Sequence, residues 1–133
     1  MINRKLIHLL NQQVRYINKN LNERIQDHDL YNAQWSILYF LHENGAKTQT
    51  EITNYFHVNA PTITRTVKRM EENGWINRVV GQDRRHQYIE LSHDAKEKYK
   101  EIEKVVSEHE EEMLSNLSRE EKELLLSLLQ KLK

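Results

Sequence analysis

The sequence contains no cysteine, and its 133 residues include only three glycines and one proline. Without cysteine the chain has no disulfide, no thiolate metal ligand and no thiol-based redox switch. Few glycines and prolines mean few helix breakers, which favours a mostly helical protein. No apolar run approaches the length of a membrane span, and Met1–Lys5 leads into a mixed polar segment. We therefore expect a soluble, cytoplasmic protein that does not enter a membrane.

The length of the chain indicates how many domains it has, and its charge distribution indicates what it can bind. A chain of 133 residues amounts to one domain, and no linker marks off a second one, so we expect a single domain over residues 1–133. The formal net charge is zero, but residues 60–88 hold six Lys or Arg against three acids, whereas residues 92–133 hold eight against eleven. A local basic surface of this kind suits contact with phosphates.

Apolar residues recur at intervals of three and four along most of the chain, which predicts six helices. The first runs over about residues 3–26 and ends at Asp27–Asp29. Capping signals mark others: Thr48–Glu51 has the form of a capping box, Asn59 is a good N-cap, and Gly74 suits a helix end. The remaining helices are expected over residues 32–43, from Thr48 to the break at His57, and over residues 59–73, 92–114 and 118–132.

A β-hairpin is predicted between Ile76 and Leu91. Val79 and Val80 precede the turn Gly81–Asp83, and Tyr88–Leu91 alternates apolar and polar residues as a half-buried strand does.

The helix at 59–73 presents hydroxyls and cations on the side opposite its apolar stripe. Hydroxyls can bond base edges or phosphates, and arginine can bond guanine bidentately, so such a helix suits the major groove of DNA. The alternative is an ordinary solvent-exposed face. The candidate DNA-contacting residues on this helix are Thr62, Thr64, Arg65, Lys68 and Arg69.

Helix, helix and basic hairpin between long flanking helices resemble the multiple-antibiotic-resistance regulator (MarR) family of winged helix-turn-helix repressors. The resemblance covers essentially the whole chain. It is carried by Asn59–Arg65, by Met70–Ile76, and by Asp83-Arg84-Arg85 leading to Ile89–Ser92. Met70, Trp75 and Ser92 are mild departures from the family pattern.

The resemblance implies a mainly α fold with a small β wing. It assigns the winged helix-turn-helix to residues 32–91, a long connecting helix to 92–114, and dimerisation helices to 1–30 and 115–133. The implied function is a transcriptional repressor, a homodimer that binds a pseudo-palindromic operator in double-stranded DNA. The recognition helix (about 59–73) would enter the major groove and the wing (about 76–91) the minor groove.

The same resemblance assigns roles to single residues. Arg85 would enter the minor groove with Asp83 orienting it, and Arg84 would lie on the phosphates. Arg65 is the expected base contact, and Lys68 or Arg69 would bind phosphates. A charged, solvated hairpin turn is the alternative for residues 83–85.

Two further expectations concern the flanking helices. Leucines in the last helix and an apolar strip in the first suit a dimer interface, although both could instead pack within one subunit. Relatives of this kind often release DNA on binding a small aromatic or phenolic effector; the alternative is that Trp35 and Tyr39 are simply core residues. The candidate lining residues are Arg15, Tyr16, Trp35 and Tyr39, with His8 nearby.

No cofactor or metal is expected. His109 and Glu112 are spaced as ligands on one helical face could be, but Glu108–Glu112 also suits an ordinary solvated charge run. The chain contains no Gly-rich phosphate loop, nucleophile elbow or HExxH zinc motif, so we expect no enzymatic activity. The competing function is a protein–protein interaction module on a winged-helix scaffold.

Overall fold

A computed structural model describes residues 1–83 and 85–133. Within these residues, six α-helices and three short strands follow one another, as the sequence predicted for the helices and the hairpin. Arg84 lies outside the described residues. The elements are α1 (Ile2–Ile25), a 3-10 turn (Gln26–His28), α2 (Asn32–Asn44), β1 (Lys47–Thr48), α3 (Gln49–Phe56), α4 (Ala60–Glu72), β2 (Ile76–Val80), β3 (Gln87–Leu91), α5 (His93–Met113) and α6 (Arg119–Gln130).

The helix starts follow from side-chain capping. Thr48 accepts the backbone N–H of Glu51 at 3.1 Å, and the Glu51 carboxylate accepts the backbone N–H of Thr48 at 3.2 Å. Ser118 and Glu121 form the same reciprocal pair at the start of α6. Each capping box provides acceptors for N–H groups that a helix start otherwise leaves without partners.

A glycine ends α4 and aims the chain into the hairpin. Gly74 has a φ of 82°, and the N–H groups of Gly74 and Trp75 donate to the carbonyls of Glu71 and Met70. This is a Schellman motif, whose left-handed position favours glycine. Ser92 then ties the start of α5 to this point, because its hydroxyl donates to the Gly74 carbonyl at 2.6 Å.

The sheet is three-stranded and antiparallel in the order β1-β3-β2. The hairpin register pairs Ile76 with Leu91 and Val80 with Gln87. The two-residue strand β1 adds a third strand through the pairing of Lys47 with Ile89. The sequence did not predict β1, since two residues are too few to show an alternating pattern.

One apolar core joins the helices to the sheet. It includes Ile25 from α1, Leu38 from α2, Val67 from α4 and Ile89 from β3, all almost fully buried. Because α4 packs through Ile63, Val67 and Met70, its opposite side is left at the surface. The helix that the sequence predicted as the recognition helix is therefore fixed by its buried stripe, with its polar side free.

Two apolar surfaces remain uncovered at the ends of the chain. In α6 no residue is buried, and the leucines of its stripe are between 38% and 59% exposed. In α1 the first half is exposed as well, whereas Leu21 and Ile25 are buried. The two stripes therefore do not cover each other within one chain. The exposed stripe residues are Ile2, Leu6, Leu9 and Val14 in α1, and Leu124, Leu125, Leu128, Leu129 and Leu132 at the C-terminal end.

Across residues 1–83 and 85–133, no helix combines the length and the apolar character that crossing a membrane requires.

Candidate nucleic-acid interface

The polar side of α4 forms the centre of the candidate interface. Its N-cap is Asn59, whose side-chain oxygen accepts the backbone N–H of Thr62 at 2.9 Å. From there the predicted contact residues follow along the helix: Thr62 is half-buried, and Thr64, Arg65, Lys68 and Arg69 are exposed. The structure thus brings these five residues onto one accessible side of a single rigid helix.

Internal hydrogen bonds orient several of these side chains. Nη2 of Arg65 donates to the Thr62 hydroxyl at 3.3 Å, one helical turn earlier. The hydroxyl of Thr64 lies 2.9 Å from the carbonyl of Ala60 and 2.7 Å from Nε2 of Gln49 in α3. Gln49 is a residue that the sequence analysis did not single out. Its contact with Thr64 joins residues fifteen positions apart, which no local pattern reveals.

The hairpin tip holds an arginine in a fixed direction. Nε and Nη2 of Arg85 each donate to the Asp83 carboxylate at 3.1 Å, and the backbone N–H of Arg85 donates to it at 3.0 Å. These bonds from Arg85 lower the pKa of Asp83. The carboxylate therefore stays ionised and keeps its charge-assisted pair with the guanidinium. The predicted pairing of Asp83 with Arg85 is present.

Close packing and an ion pair connect the hairpin to its surroundings. Arg78 of β2 lies 3.3 Å from the Glu71 carboxylate of α4, so this cation is partnered within the chain. Gly81 has no room for a side chain, because an added Cβ would clash with the ring of Tyr88. The basic surface that remains for a ligand therefore centres on α4 and the hairpin tip.

Arg69 occupies a separate position at the C-terminal end of α4. It lines an open cavity of about 550 Å³ that also touches the turn between α1 and α2 and the start of α5. Lys98 and Trp75 line the same cavity, and the Lys98 ammonium lies 5.6 Å from the centre of the Trp75 ring, a cation–π distance. Arg69 therefore borders this cavity, whereas Thr62, Thr64 and Arg65 lie nearer the N-terminus of α4.

The candidate effector residues do not form one group. Trp35 and Tyr39 line a cavity of about 320 Å³ between α2 and α5. Tyr99 also lines it and stacks on Trp35 at 5.4 Å between ring centres. Arg15 and Tyr16 lie exposed on α1 and do not line this cavity. Trp35 is buried in the core, as the alternative interpretation expected, whereas Tyr39 is half exposed.

The same cavity has an acidic rim formed by three carboxylates. Burial, together with Glu103 and other acids, raises the pKa of Tyr99 to about 12. Burial and the neighbouring Glu103 also raise the pKa of the Glu110 carboxyl. Negative charge is therefore disfavoured here. The carboxylates are Glu43, Glu103 and Glu110.

His109 and Glu112, which are spaced as metal ligands could be, have other partners, and so does His42. Nδ1 of His109 lies 2.9 Å from the Asn20 side-chain oxygen, and Glu112 pairs with Arg24. The ring of His42 stacks on Tyr99 at 3.9 Å between centres. In the part of the chain that the structure describes, no group of three His, Cys, Asp or Glu residues is arranged to hold a metal ion.

Known proteins match this chain in sequence. The model of the MarR family matches residues 30–86. The "Uncharacterized HTH-type transcriptional regulator YwoH" of Bacillus subtilis (strain 168) is 48% identical over 95 residues, which is 71% of this chain and 69% of that protein.

The chain belongs to the MarR family.

This MarR-family chain is also similar to a repressor in sequence and to a protein–DNA complex in structure. The "HTH-type transcriptional repressor IacR" of Pseudomonas putida is 32% identical over 59 residues, which is 44% of this chain and 35% of that protein. A mutant MarR from E. coli complexed with operator DNA has a similar structure. Its TM-score is 0.84 at 25% identity, with 98% of this chain and 93% of that chain covered.

Proposed function

We propose that this chain is a transcriptional repressor that binds double-stranded operator DNA as a homodimer. The observation that carries the proposal is the combination, within one winged helix-turn-helix lobe, of an exposed cationic α4 and a hairpin arginine held by an aspartate. MarR-family membership supports it, since the related E. coli MarR was solved with operator DNA and IacR is a repressor. For such a regulator we propose a cytoplasmic location.

The proposed docking places α4 in the major groove and the hairpin in the minor groove. Arg65 lies near the N-terminal half of α4, the part that reaches base edges in helix-turn-helix proteins, so it is assigned a base contact. Lys68 and Arg69 lie further along and are assigned to phosphates. Arg85 is assigned to the minor groove, where negative potential attracts arginine.

A second copy of this chain is the proposed partner for the exposed stripes of α1 and α6. A large contiguous apolar surface marks an interaction site. In a two-fold dimer the same surface serves both copies, and two α4 helices are held about one turn of DNA apart. The operator is accordingly pseudo-palindromic. Residues 1–30 and 115–133 provide the interface in this proposal, with α5 connecting it to the DNA-binding lobe.

A small effector is proposed for the cavity between α2 and α5. The rings of Trp35, Tyr39 and Tyr99 suit a planar aromatic ligand. The carboxylate rim repels anions, so a neutral phenol fits better than an aromatic carboxylate. Titrating the protein–DNA complex with phenol and with benzoate tests this point. Release by benzoate alone would contradict it, and Glu103→Gln should narrow the difference between the two compounds.

Selection of duplexes from a random pool tests the main proposal. The expected product is an inverted repeat whose half-sites are about one helical turn apart. The logarithm of its binding constant should fall linearly with the logarithm of the salt concentration. A protein–protein interaction module would select no sequence and show no such salt dependence. That alternative is not favoured, because the exposed cations of α4 and the Asp83–Arg85 pair have no evident use in it.

A further inference from the structure

A hydrogen bond between two helices connects Gln49, the first residue of α3, with Thr64 on the exposed side of α4. Nε2 of Gln49 lies 2.7 Å from the Thr64 hydroxyl oxygen. That hydroxyl also lies 2.9 Å from the carbonyl oxygen of Ala60, four residues earlier. A hydroxyl has one hydrogen and a carbonyl can only accept. Thr64 therefore donates to Ala60 and accepts from Gln49.

This arrangement fixes which way the Gln49 amide faces. Because the hydrogen of the Thr64 hydroxyl is already donated, only the amide nitrogen of Gln49, and not its oxygen, can bond to that hydroxyl. The amide nitrogen carries two hydrogens, so one N–H and the carbonyl oxygen remain for another partner. A glutamine donor and acceptor side by side match N7 and N6 of adenine in the major groove.

Thr64 is correspondingly restricted in what it can do on DNA. With its hydrogen donated to Ala60, the hydroxyl cannot donate to a base acceptor or a phosphate. Its methyl group remains available, and a threonine methyl can contact the C5-methyl of thymine. Thr64 therefore has two roles. Its hydroxyl positions the Gln49 amide, and its exposed methyl group can make an apolar contact with DNA.

We infer that Gln49 and Thr64 act as one base-reading pair that recognises an A·T base pair in each operator half-site. Gln49 bonds the adenine, and Thr64 holds the Gln49 amide and contacts a thymine methyl. The inference rests on the proposed DNA-binding function. The capping box of Thr48 and Glu51 fixes the backbone on either side of Gln49, and the Thr64 hydroxyl holds the side-chain amide.

The competing explanation is a purely structural bond that fastens α3 to α4. The two explanations differ in how sequence preference changes. Loss of a structural bond weakens binding to all duplexes alike, whereas loss of a reading residue removes the preference at one base pair and leaves the others. Measuring binding to a random pool separates these effects, because it reports each position of the site independently.

The experiment compares the duplexes selected by the wild type with those selected by Gln49→Ala, Gln49→Met and Thr64→Val. Methionine has nearly the length of glutamine without its hydrogen bonds, and valine keeps the shape of threonine without its hydroxyl. Glu101→Ala, at an exposed position of α5 outside both proposed surfaces, serves as the truncation control. Circular dichroism melting of each variant verifies that it is folded.

The wild type should prefer A·T at one position of each half-site by roughly 10- to 100-fold. Both Gln49 variants should lose that preference and keep those at other positions. Thr64→Val should lose it in part, and adding Thr64→Val to Gln49→Ala should cause little further loss at that position. A uniform weakening, an unchanged selection, or loss of preference at a G·C pair would overturn the inference. If the wild type selects no sequence, the proposed function itself fails.

Discussion

Asp83 binds the guanidinium of Arg85 through two hydrogen bonds of 3.1 Å, one to each carboxylate oxygen, at the tip of the β2–β3 hairpin. The Arg85 side chain is nevertheless 86% exposed. An isolated pair of this kind contributes little to stability, because water screens it. Its consequence is orientation: the arginine has a defined direction before any ligand arrives, which reduces the entropy lost on binding.

Replacing Arg85 by alanine should weaken operator binding by roughly 10-fold and reduce the slope of log K against log salt by about one, since one cation fewer reaches the DNA and displaces counterions. Fluorescence anisotropy at several salt concentrations measures both quantities. Lys104→Ala removes one cation from the exposed side of α5 and is the matched control. Equal changes of slope in the two variants would show that Arg85 does not contact DNA.

Replacing Asp83 by asparagine should separate affinity from specificity. The variant loses a negative charge, so its general attraction to DNA should rise slightly. The loss of the charged acceptor leaves Arg85 less well oriented. Discrimination between operators with A·T-rich and G·C-rich minor-groove segments should therefore fall several-fold. Fluorescence anisotropy with two duplexes that differ only in these segments measures this discrimination. Unchanged discrimination would show that Asp83 does not orient Arg85 on DNA.

Replacing Leu128 by glutamate should separate the proposed dimer into chains of 16.1 kDa. A charge placed in an apolar interface is strongly unfavourable. Sedimentation equilibrium should give about twice the chain mass for the wild type and a lower value for the variant. Leu126→Glu is the matched control, because Leu126 is 59% exposed in one chain, against 49% for Leu128, but lies off the leucine stripe. A wild-type protein that sediments as a single chain would contradict the dimer.

The sequence predicted the elements whose determinants are local. The capping pairs at Thr48 and Ser118, the N-cap Asn59 and the helix-ending Gly74 all act within five residues, so they can be found without knowing the fold. Strand β1 was not predicted, because it forms only when Lys47 meets Ile89, forty-two positions later. Short strands of this kind are set by tertiary packing.

In the candidate site, too, local features could be predicted from the sequence and contacts between distant elements could not. The exposed residues of α4 follow from its helical period, and Asp83 and Arg85 are close because they are two positions apart. The bond between Gln49 and Thr64 depends on how α3 crosses α4, which the apolar pattern does not specify. The sequence grouped Arg15 and Tyr16 with Trp35 and Tyr39, but within one chain they do not line the same cavity. Helical periodicity shows which residues share a face of one helix, and it does not show which helix faces meet.

Replacing Asn59 by alanine should lower the free energy of unfolding by about 1 kcal/mol, because the N–H of Thr62 loses its acceptor. Asn59→Ser keeps a capping oxygen and should stay close to the wild type. Urea unfolding measures both. The salt slope of DNA binding should be unchanged in either variant, since no charge is altered. A changed slope would mean that Asn59 has a further role at the DNA surface.

Acidification should weaken the packing of α1 against α5 through His109. This histidine is 2% exposed and bonds to Asn20, and burial followed by the nearby Arg24 lowers its pKa. The unfolded chain binds a proton near pH 6.5, whereas the folded chain binds it only at lower pH. The free energy of unfolding should therefore fall as the pH drops below about 6.5, by at most about 1.4 kcal/mol per pH unit from this group.

Urea unfolding of the wild type and of His109→Gln at several pH values isolates this contribution. Carboxylates also titrate in acid, so the quantity of interest is the difference between variants. His109→Gln should lose less stability than the wild type between about pH 7 and the folded-state pKa, because glutamine takes up no proton. Identical losses in the wild type and His109→Gln would mean that His109 binds protons equally well in the folded and unfolded chain.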